Sequence, residues 1–375
     1  MAQDQRQAES DSQKPTNQNA AQAAGARVEF SFSSGLSSRL ASLNISLAFS
    51  SYQSGLLYML GRNPQGGLQI YQSAFPKPMG LHYSPEHGLI LGTHAHIMQL
   101  VNVLEPNQRY KGKYDGCFVA RTSYTTGQLD AHDVGVNEQG KPVFVNTRFN
   151  CLATVSSRHS FEPIWRPEFI SALVNEDRCH LNGLAMDGHT PAYVTAVSRS
   201  DTIDGWRDRR SNGGVVIEVQ SNRVICEGLS MPHSPRLHNG ELWILNAGTG
   251  ELGVVTRFEE GMGEFQPRVF CPGFLRGLAF CGRFAMVGLS KPRHKRFEGL
   301  ALDQRLQDAD SEPWCGVQII DLQTATCVDW LRIDGAVSEI YDVAAMPDLV
   351  WPMSLAPTSA EAAGVITFPP EEPAS

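Results

Sequence analysis

The stretch NGLAMDGHTPAYVTAV (residues 182–197), followed by GGVVIEV (213–219) and NRVICEGL (222–229), decides the fold. It contains four short apolar runs separated by turns that are rich in Gly, Asp and Asn. Runs of this length and composition, bounded by such turns, predict β-strands. Four strands that follow one another with short connections predict one small antiparallel sheet.

The first half of this pattern, an apolar run, a tight turn and a second apolar run, recurs along the whole chain. The other units are MGLHYSPEHGLILGTH (79–94), DVGVNEQGKPVFVNTR (133–148), SPRLHNGELWILNAG (234–248), RGLAFCGRFAMVGLS (276–290) and DVAAMPDLVWPMSL (342–355). Successive units start 42 to 66 residues apart, which is the size of one four-stranded propeller blade with its loops. The sequence therefore predicts an all-β fold, a single β-propeller. Six blades are expected, and seven is the alternative count if the N-terminal strands form a blade of their own.

The two ends of the chain are expected to close this ring. The last unit stops after two apolar runs, whereas SLAFSSYQSGLLYMLGR (46–62) and GGLQIYQSAF (66–75) supply strands that belong to no unit. N-terminal strands that complete the last blade would leave no open sheet edge. A β-sandwich and a right-handed β-helix are the alternatives; six units with one internal order disfavour the first, and the length of each unit disfavours the second. One short helix is predicted over Arg166–Leu173, with Pro167 in its first turn.

Composition sets the domain limits and the classes of partner. The polar residues 1–26 are expected to be disordered, residues 27–355 to form the propeller, and residues 356–375 to be a flexible tail. A net charge of −8 without a dense Lys/Arg stripe predicts no nucleic-acid partner. The absence of an apolar run of membrane-spanning length predicts no membrane partner and a cytoplasmic location. The eight cysteines form no CxxC pair and are expected to be reduced, buried thiols.

Polar residues recur at the start of the first strand of each unit, where they would surround one mouth of the central channel. Because successive strands are antiparallel, the loop that enters the first strand and the loop between the second and third strands emerge on the same face. The latter loops are long, and they include Trp206 and Arg207. The shared register contains Met79, Asp133, Asn182, Ser234, Arg276 and Asp342, preceded closely by His132, His180 and His233. We expect the functional site on this elaborated face.

Two ligand chemistries fit this register. Oxygen atoms of Asp and Asn suit Ca²⁺, and imidazoles suit Zn²⁺. Arginines would hold a carboxylate or phosphate of the ligand. A divalent cation, Ca²⁺ or Zn²⁺, is therefore the one cofactor considered. The predicted metal ligands are Asp133, Asn182, Asp342, His132 and His180, and the predicted catalytic residues are Asp133, His233, Arg236 and Arg276. The alternative is that each Asp or Asn is a turn or cap residue and each His is structural.

Several stretches carry a resemblance to a known family. They include SSYQSGLLY, HDVGV, VNTRFNCLATV, WRPEFI, EDRCHLNGLA, GLSMPHSPRLHNGELWIL and PGFLRGLAF, and together with others they extend from about Ser50 to Met353. In these stretches the chain resembles a bacterial family of conserved hypothetical proteins of unknown function. Its ring of Asp and Asn is also similar to that of calcium-dependent lactonases of the gluconolactonase/SMP-30 kind. The second likeness implies metal-assisted lactone opening at the channel mouth.

The function predicted from these observations is that of a small-molecule-binding or catalytic propeller. As an enzyme it would be a metal-dependent hydrolase or lactonase-like protein, in which a cation polarises a carbonyl while Asp or His handles the proton. The alternative is a non-catalytic propeller that binds a protein partner. In that case exposed loop residues such as Trp206 and Arg207 would carry the interaction.

Overall fold

A computed structural model describes residues 28–259, 261–293 and 296–369. The segment predicted to be disordered, residues 1–26, lies outside the described residues, as do residues 370–375 of the predicted flexible tail. The described part of that tail contains a short helix, Ala360–Gly364, which is capped by the side chain of Ser359 and buries Ala362. The flexibility of residues 356–375 stays a prediction.

Strands make up nearly all of the regular structure. In chain order the elements are β1 (Val28–Phe32), α1 (Leu36–Leu43), β2 (Ile45–Ser51), β3 (Leu56–Arg62), β4 (Leu68–Ala74), β5 (Leu81–Ser84), β6 (Gly88–Gly92), β7 (His96–Asn102), β8 (Gly116–Thr125), β9 (Ala131–Val136), β10 (Pro142–Asn146), β11 (Cys151–Thr154), β12 (Glu162–Trp165), β13 (Leu181–Asp187), β14 (Thr190–Ala196), β15 (Gly214–Glu218), β16 (Val224–Leu229), β17 (Pro232–His238), β18 (Glu241–Asn246), β19 (Glu251–Thr256), β20 (Glu264–Phe270), β21 (Phe274–Cys281), β22 (Phe284–Ser290), α2 (Ala301–Asp308), β23 (Cys315–Asp321), β24 (Thr326–Gly335), β25 (Asp342–Pro347), β26 (Pro352–Ser354) and α3 (Ala360–Gly364). Two short 3₁₀ segments lie at Thr147–Phe149 and Arg207–Arg209.

These strands form six sheets, which are the six blades of a β-propeller. Blades I to IV contain β5–β8, β9–β12, β13–β16 and β17–β20, and blade V contains β21–β24 with β1 on its outer edge. Blade VI contains β25, β2, β3 and β4. The first strand of each blade contacts the first strands of its two neighbours, so these strands surround the central channel. The predicted all-β, six-bladed propeller is confirmed.

The ring is closed by N-terminal strands, as the sequence predicts. β25 pairs antiparallel with β2, and Asp342 lies opposite Ser50. The prediction for the second apolar run of the last unit is wrong in detail. This run is β26, and it pairs in parallel with β8 on the outer edge of blade I, where Pro352 lies opposite Gly116. It cannot be the second strand of blade VI because β2 already occupies that position beside β25.

The helix predicted over Arg166–Leu173 is also wrong. This segment forms a single turn, in which the Ile170 amide donates to the Pro167 carbonyl over 3.0 Å. Tertiary contacts override the local helical tendency: Asn222 donates to the Arg166 carbonyl and accepts from the Glu168 amide. Ile170 is buried in the core of blades II and III.

The core lies between blades as well as within them. One cluster packs Leu57 and Met59 of blade VI against Leu89 and Leu91 of blade I. Because both faces of the inner strands are covered in this way, all seven residues of β2 are buried. All eight cysteines are free, and six of them are buried. Within the described ranges, no helix combines the length and the apolar character needed to cross a membrane.

Candidate functional site

Arg236, on β17, lies in the channel and joins four other blades. Its Nη1 donates to Asp133 Oδ2 over 2.8 Å and to the Leu184 carbonyl over 2.9 Å, and its Nη2 donates to Asp133 Oδ1 over 3.1 Å. Its Nε donates to the Leu278 carbonyl, and Asp342 Oδ1 lies 3.8 Å from Nη2. Burial disfavours the charge, but the carboxylates of Asp133 and Asp342 outweigh burial and raise the pKa of Arg236. Arg236 is therefore a charged cross-link at the centre of the ring.

The two carboxylates also connect neighbouring blades through backbone amides. Asp133 accepts from the Leu184 amide of blade III over 3.0 Å, and Asp342 accepts from the Leu81 amide of blade I over 2.8 Å. Each carboxylate also accepts from the amide of the residue that follows it. Burial, and then the charge of Asp133, raise the pKa of Asp342 to about 7. The shared register thus contains side chains that fasten blade II to blade III and blade VI to blade I.

Ser234 has the same role between blades IV and V. Its hydroxyl accepts from the Gly277 amide over 3.1 Å. Gly277 has φ +76°, and a Cβ atom there would lie 2.5 Å from the Val343 nitrogen. Glycine is required at this position because the backbone is left-handed and approaches the next blade closely.

Asn182 and His233 form a hydrogen bond with each other. The Asn182 amide accepts from the Thr195 hydroxyl over 2.7 Å and donates to His233 Nε2 over 3.3 Å. His233 Nδ1 donates to the Met231 carbonyl over 2.8 Å, which fixes the tautomer because a carbonyl can only accept. Burial, and then the charge of Arg276, lower the pKa of His233 well below its usual value, so the ring is neutral.

These contacts bear on the predicted metal ligands. The oxygens of Asp133, Asn182 and Asp342 accept from amides, a hydroxyl or Arg236, so they are engaged in holding the blades together. Among the described residues, no group of three or more His, Cys, Asp or Glu side chains is arranged to hold a metal ion. A divalent cation at this register stays a prediction. In this geometry the oxygens of Asp133, Asn182 and Asp342 are held by other groups and do not fit one cation.

A cavity of about 650 Å³ opens on the face that carries the long loops. Its volume lies within the usual range of small-molecule sites, about 300–1,000 Å³. Of the residues predicted for the site, His132, His180 and Arg276 line it, whereas Asp133, Asn182, His233, Arg236 and Asp342 lie outside its lining. Among the described residues, seven Lys or Arg and four Asp or Glu line this cavity, although the whole chain has a net charge of −8. The mouth is therefore positively charged on an acidic protein.

His132 presents one free ring nitrogen in this cavity. Its Nδ1 lies 2.9 Å from the Asp130 carbonyl and 2.7 Å from the Thr147 hydroxyl, which itself donates to the Leu181 carbonyl. Nδ1 must therefore carry the proton. Nε2 has no hydrogen-bond partner among the described residues. Burial, and then the charges of His180 and Arg276, lower the pKa of His132 well below its usual value. The side chain is thus a neutral base at neutral pH.

His180 is oriented by a carboxylate. Its Nδ1 donates to Asp177 Oδ2 over 2.6 Å, and its backbone amide donates to Oδ1 of the same residue over 3.0 Å. Its ring stacks on Trp206 at 4.2 Å and meets the ring of His132 edge to face at 4.9 Å. Two imidazoles with fixed Nδ1 atoms therefore lie side by side in the cavity.

Glu339 organises the opposite side of the cavity. Its Oε1 accepts from Arg276 over 2.7 Å and from Arg293 over 3.0 Å. Burial opposes ionisation of Glu339, but the two guanidinium charges outweigh burial and lower its pKa. The Arg276 guanidinium also lies over the ring of Tyr341, 5.0 Å from its centroid. One carboxylate thus faces two guanidinium groups, which leaves an excess positive charge here.

Sequence reasoning missed some members of this site. Tyr52, Asp130, Asp177 and Arg293 were not predicted, although Asp177 precedes His180 by three residues, a spacing that allows a side-chain pair within one turn. The expectation that Trp206 is exposed is wrong. Trp206 is 7% exposed because its ring stacks on His180.

Comparison with solved structures returns propellers of several kinds. A chain of a nidogen/laminin complex has a TM-score of 0.45 and 10% identity, and covers 81% of this chain and 99% of its own length. A gluconolactonase from Xanthomonas campestris has a TM-score of 0.44 and 10% identity, and the match covers 77% of this chain and 84% of the gluconolactonase chain. Virginiamycin B lyase from Staphylococcus aureus has a TM-score of 0.39 and 10% identity, and the match covers 82% of this chain and 99% of the lyase chain.

No curated protein matches the sequence. One family does match, over residues 34–355, which is nearly the whole propeller. The chain therefore belongs to the family described as "Domain of unknown function (DUF4915)".

Proposed function

We propose that this propeller binds a small organic molecule in the mouth cavity and transfers protons to and from it with His132 and His180. The observation that carries the proposal is the pair of adjacent imidazoles, each with Nδ1 fixed by an oxygen acceptor. In both rings Nε2 is then the nitrogen that can exchange a proton with a ligand.

The two rings support different halves of a proton-transfer reaction. His132 is neutral and accepts a proton at Nε2, as a general base does. The Asp177 carboxylate holds His180 in one orientation and would stabilise positive charge on that ring during transfer. Ester hydrolysis, lactone opening and elimination all require one such removal and one such delivery of a proton. These reactions define the proposed class.

The proposal is tested by turnover of a panel of lactones, esters and β-substituted carboxylic acids, followed by proton NMR. We expect the wild type to convert at least one probe, and His132→Gln and His180→Gln to lower kcat at least about a hundredfold, the usual size of a general acid–base contribution. His238→Gln is the matched control. His238 is the last residue of β17, and its ring donates to the Gly282 carbonyl. Equal kcat in all four proteins, or no conversion by the wild type, would contradict a catalytic role.

A second candidate is a protein-binding role on the same face. The loop between β14 and β15 exposes Ile203, which is 64% exposed, and places Arg207 on the rim of the cavity. Arginine is one of the residues enriched at protein interfaces. Ile203→Ser would abolish such an interaction and would leave turnover of a small probe unchanged.

A further inference from the structure

Three polar atoms at the cavity are buried and have no partner among the described residues: Arg276 Nε, Tyr341 Oη and Trp206 Nε1. Arg276 and Tyr341 are each only 6% exposed, and both line the cavity. Leaving a buried donor without an acceptor is unfavourable, so each such group needs an explanation, and a bound ligand that supplies the missing acceptor is one. All three groups can donate a hydrogen bond.

The charged groups around these donors leave an excess of positive charge. Glu339 is the acidic partner of both Arg276 and Arg293, so one negative charge faces two positive ones. Lys77 and Lys291 also line the cavity, and their carboxylate partners are Asp130 and Asp334. A guanidinium pair with excess charge and a nearby phenol is the arrangement that binds a planar or tetrahedral oxyanion.

The cavity also has apolar side chains beside the charged groups. Trp206, Met231 and Phe274 line it and belong to one hydrophobic cluster of blades III, IV and V, and the Arg276 guanidinium lies over the Phe274 ring, 5.4 Å from its centroid. The Trp206 ring is positioned by its stacking on His180. Apolar side chains next to a charged corner suit a ligand that has an apolar body and one acidic group.

We infer that the cavity takes a small organic acid whose carboxylate or phosphate binds at Arg276, Arg293 and Tyr341, while its apolar body packs against Trp206 and Phe274. This inference rests on the proposed function, since it names the ligand class of the same cavity. It places the acidic group on the Glu339 side and the reacting part of the molecule beside His132 and His180. Tyr341 connects the two parts, because its ring also lies 5.4 Å from that of His132.

The experiment measures binding of three probes of similar size by isothermal titration calorimetry: benzoate, phenyl phosphate and the neutral benzamide. At least one of the two anions should bind at least about tenfold more tightly than benzamide, which is the size of one charge-assisted hydrogen bond. Tighter binding of phenyl phosphate identifies a phosphate ligand, and tighter binding of benzoate identifies a carboxylate.

Two variants and one matched control locate the anion. Arg293→Gln and Tyr341→Phe should each weaken anion binding about tenfold. Arg283→Gln is the control, because Arg283 is in the same blade, has a similar side-chain exposure (56% against 62%), pairs with one acidic residue and lies over an aromatic ring as Arg293 does. It should bind the probes as the wild type does. Circular dichroism confirms that each variant is folded.

The inference is overturned if benzamide binds as tightly as the anions, if neither anion binds, or if Arg293→Gln and Arg283→Gln bind alike. Because binding is measured without turnover, this failure differs from failure of the proposed function. A catalytic cavity that prefers neutral molecules would still show the His132 and His180 effects on kcat. Anion binding without any turnover would instead support the inferred ligand class and contradict the proposed proton transfer.

Discussion

Replacing Asp133 with asparagine should destabilise the propeller strongly, although the side chain barely changes in size. The Asp133 side chain is 3% exposed and Arg236 is 21% exposed, so their ion pair is largely shielded from water. In the variant Arg236 keeps one carboxylate, that of Asp342 at 3.8 Å. The Asp133 carboxylate also accepts hydrogen bonds from the backbone amides of Val134 and Leu184, and in the variant one of these two amides loses its acceptor.

Removing one partner of a buried ion pair costs about 3–5 kcal/mol. For a domain of this size, roughly 2 °C per kcal/mol gives a decrease in Tm of roughly 6–10 °C. Asp342 offsets part of the loss, since its pKa is raised partly by the charge of Asp133 and falls when that charge is removed. The lower end of the range is therefore the better expectation.

Urea unfolding followed by circular dichroism measures this cost, with Asp187→Asn as the control at the exposed end of β13. The control should differ from the wild type by less than about 0.5 kcal/mol. Metal content of the same samples, by mass spectrometry, separates the two interpretations of Asp133. An Asp133→Asn protein as stable as the wild type would refute the cross-link. So would a stoichiometric metal that is present in the wild type and lost in the variant.

Three further outcomes follow from the site. Asp342 has a folded pKa of about 7, raised above its unfolded value, so its contribution to stability is full below about pH 4 and is lost as the pH rises through 7. The lowered pKa values of His132 and His233 act in the opposite direction below about pH 6.5, so the difference in the free energy of unfolding between the wild type and Asp342→Asn isolates the contribution of Asp342; this difference should decline from pH 5 to pH 8, and a difference that rises with pH would contradict it. Tyr341→Phe should leave Tm unchanged or slightly raised, because the hydroxyl has no hydrogen-bond partner among the described residues to lose; a large decrease in thermal unfolding temperature would show a missed hydrogen bond. Because the pKa of His132 is lowered well below the usual histidine value of about 6.5, kcat of any converted probe should show no acidic limb near that pH; an acidic limb centred near pH 7 would contradict this.

The blades could be read from the sequence because each repeats an apolar run, a turn and an apolar run at a regular spacing. That regularity also fixed the register at Asp133, Asn182 and Asp342. The roles of these residues could not be read in the same way, because a buried carboxylate suits an arginine, an amide or a cation equally well. The partner that decides the matter, Arg236, is 103 residues away from Asp133 in the chain.

Other parts of the site depend on contacts between distant loops. Tyr52 comes from the N-terminal strands, yet it reaches the cavity because those strands complete blade VI. Arg293 meets Glu339 across 46 residues, in a loop whose length hides any pattern. The short run at β26 leaves blade VI because β2 is already there, which no local signal reveals.

A crystal structure of the protein with phenyl phosphate, or with benzoate if that binds more tightly, is the most direct test of the account. One molecule is expected in the mouth cavity, with its oxygens within hydrogen-bond distance of Arg276, Arg293 and Tyr341 and its ring on the Trp206 side. A cavity without the probe at saturating concentration, or a probe bound elsewhere on the propeller, would contradict it.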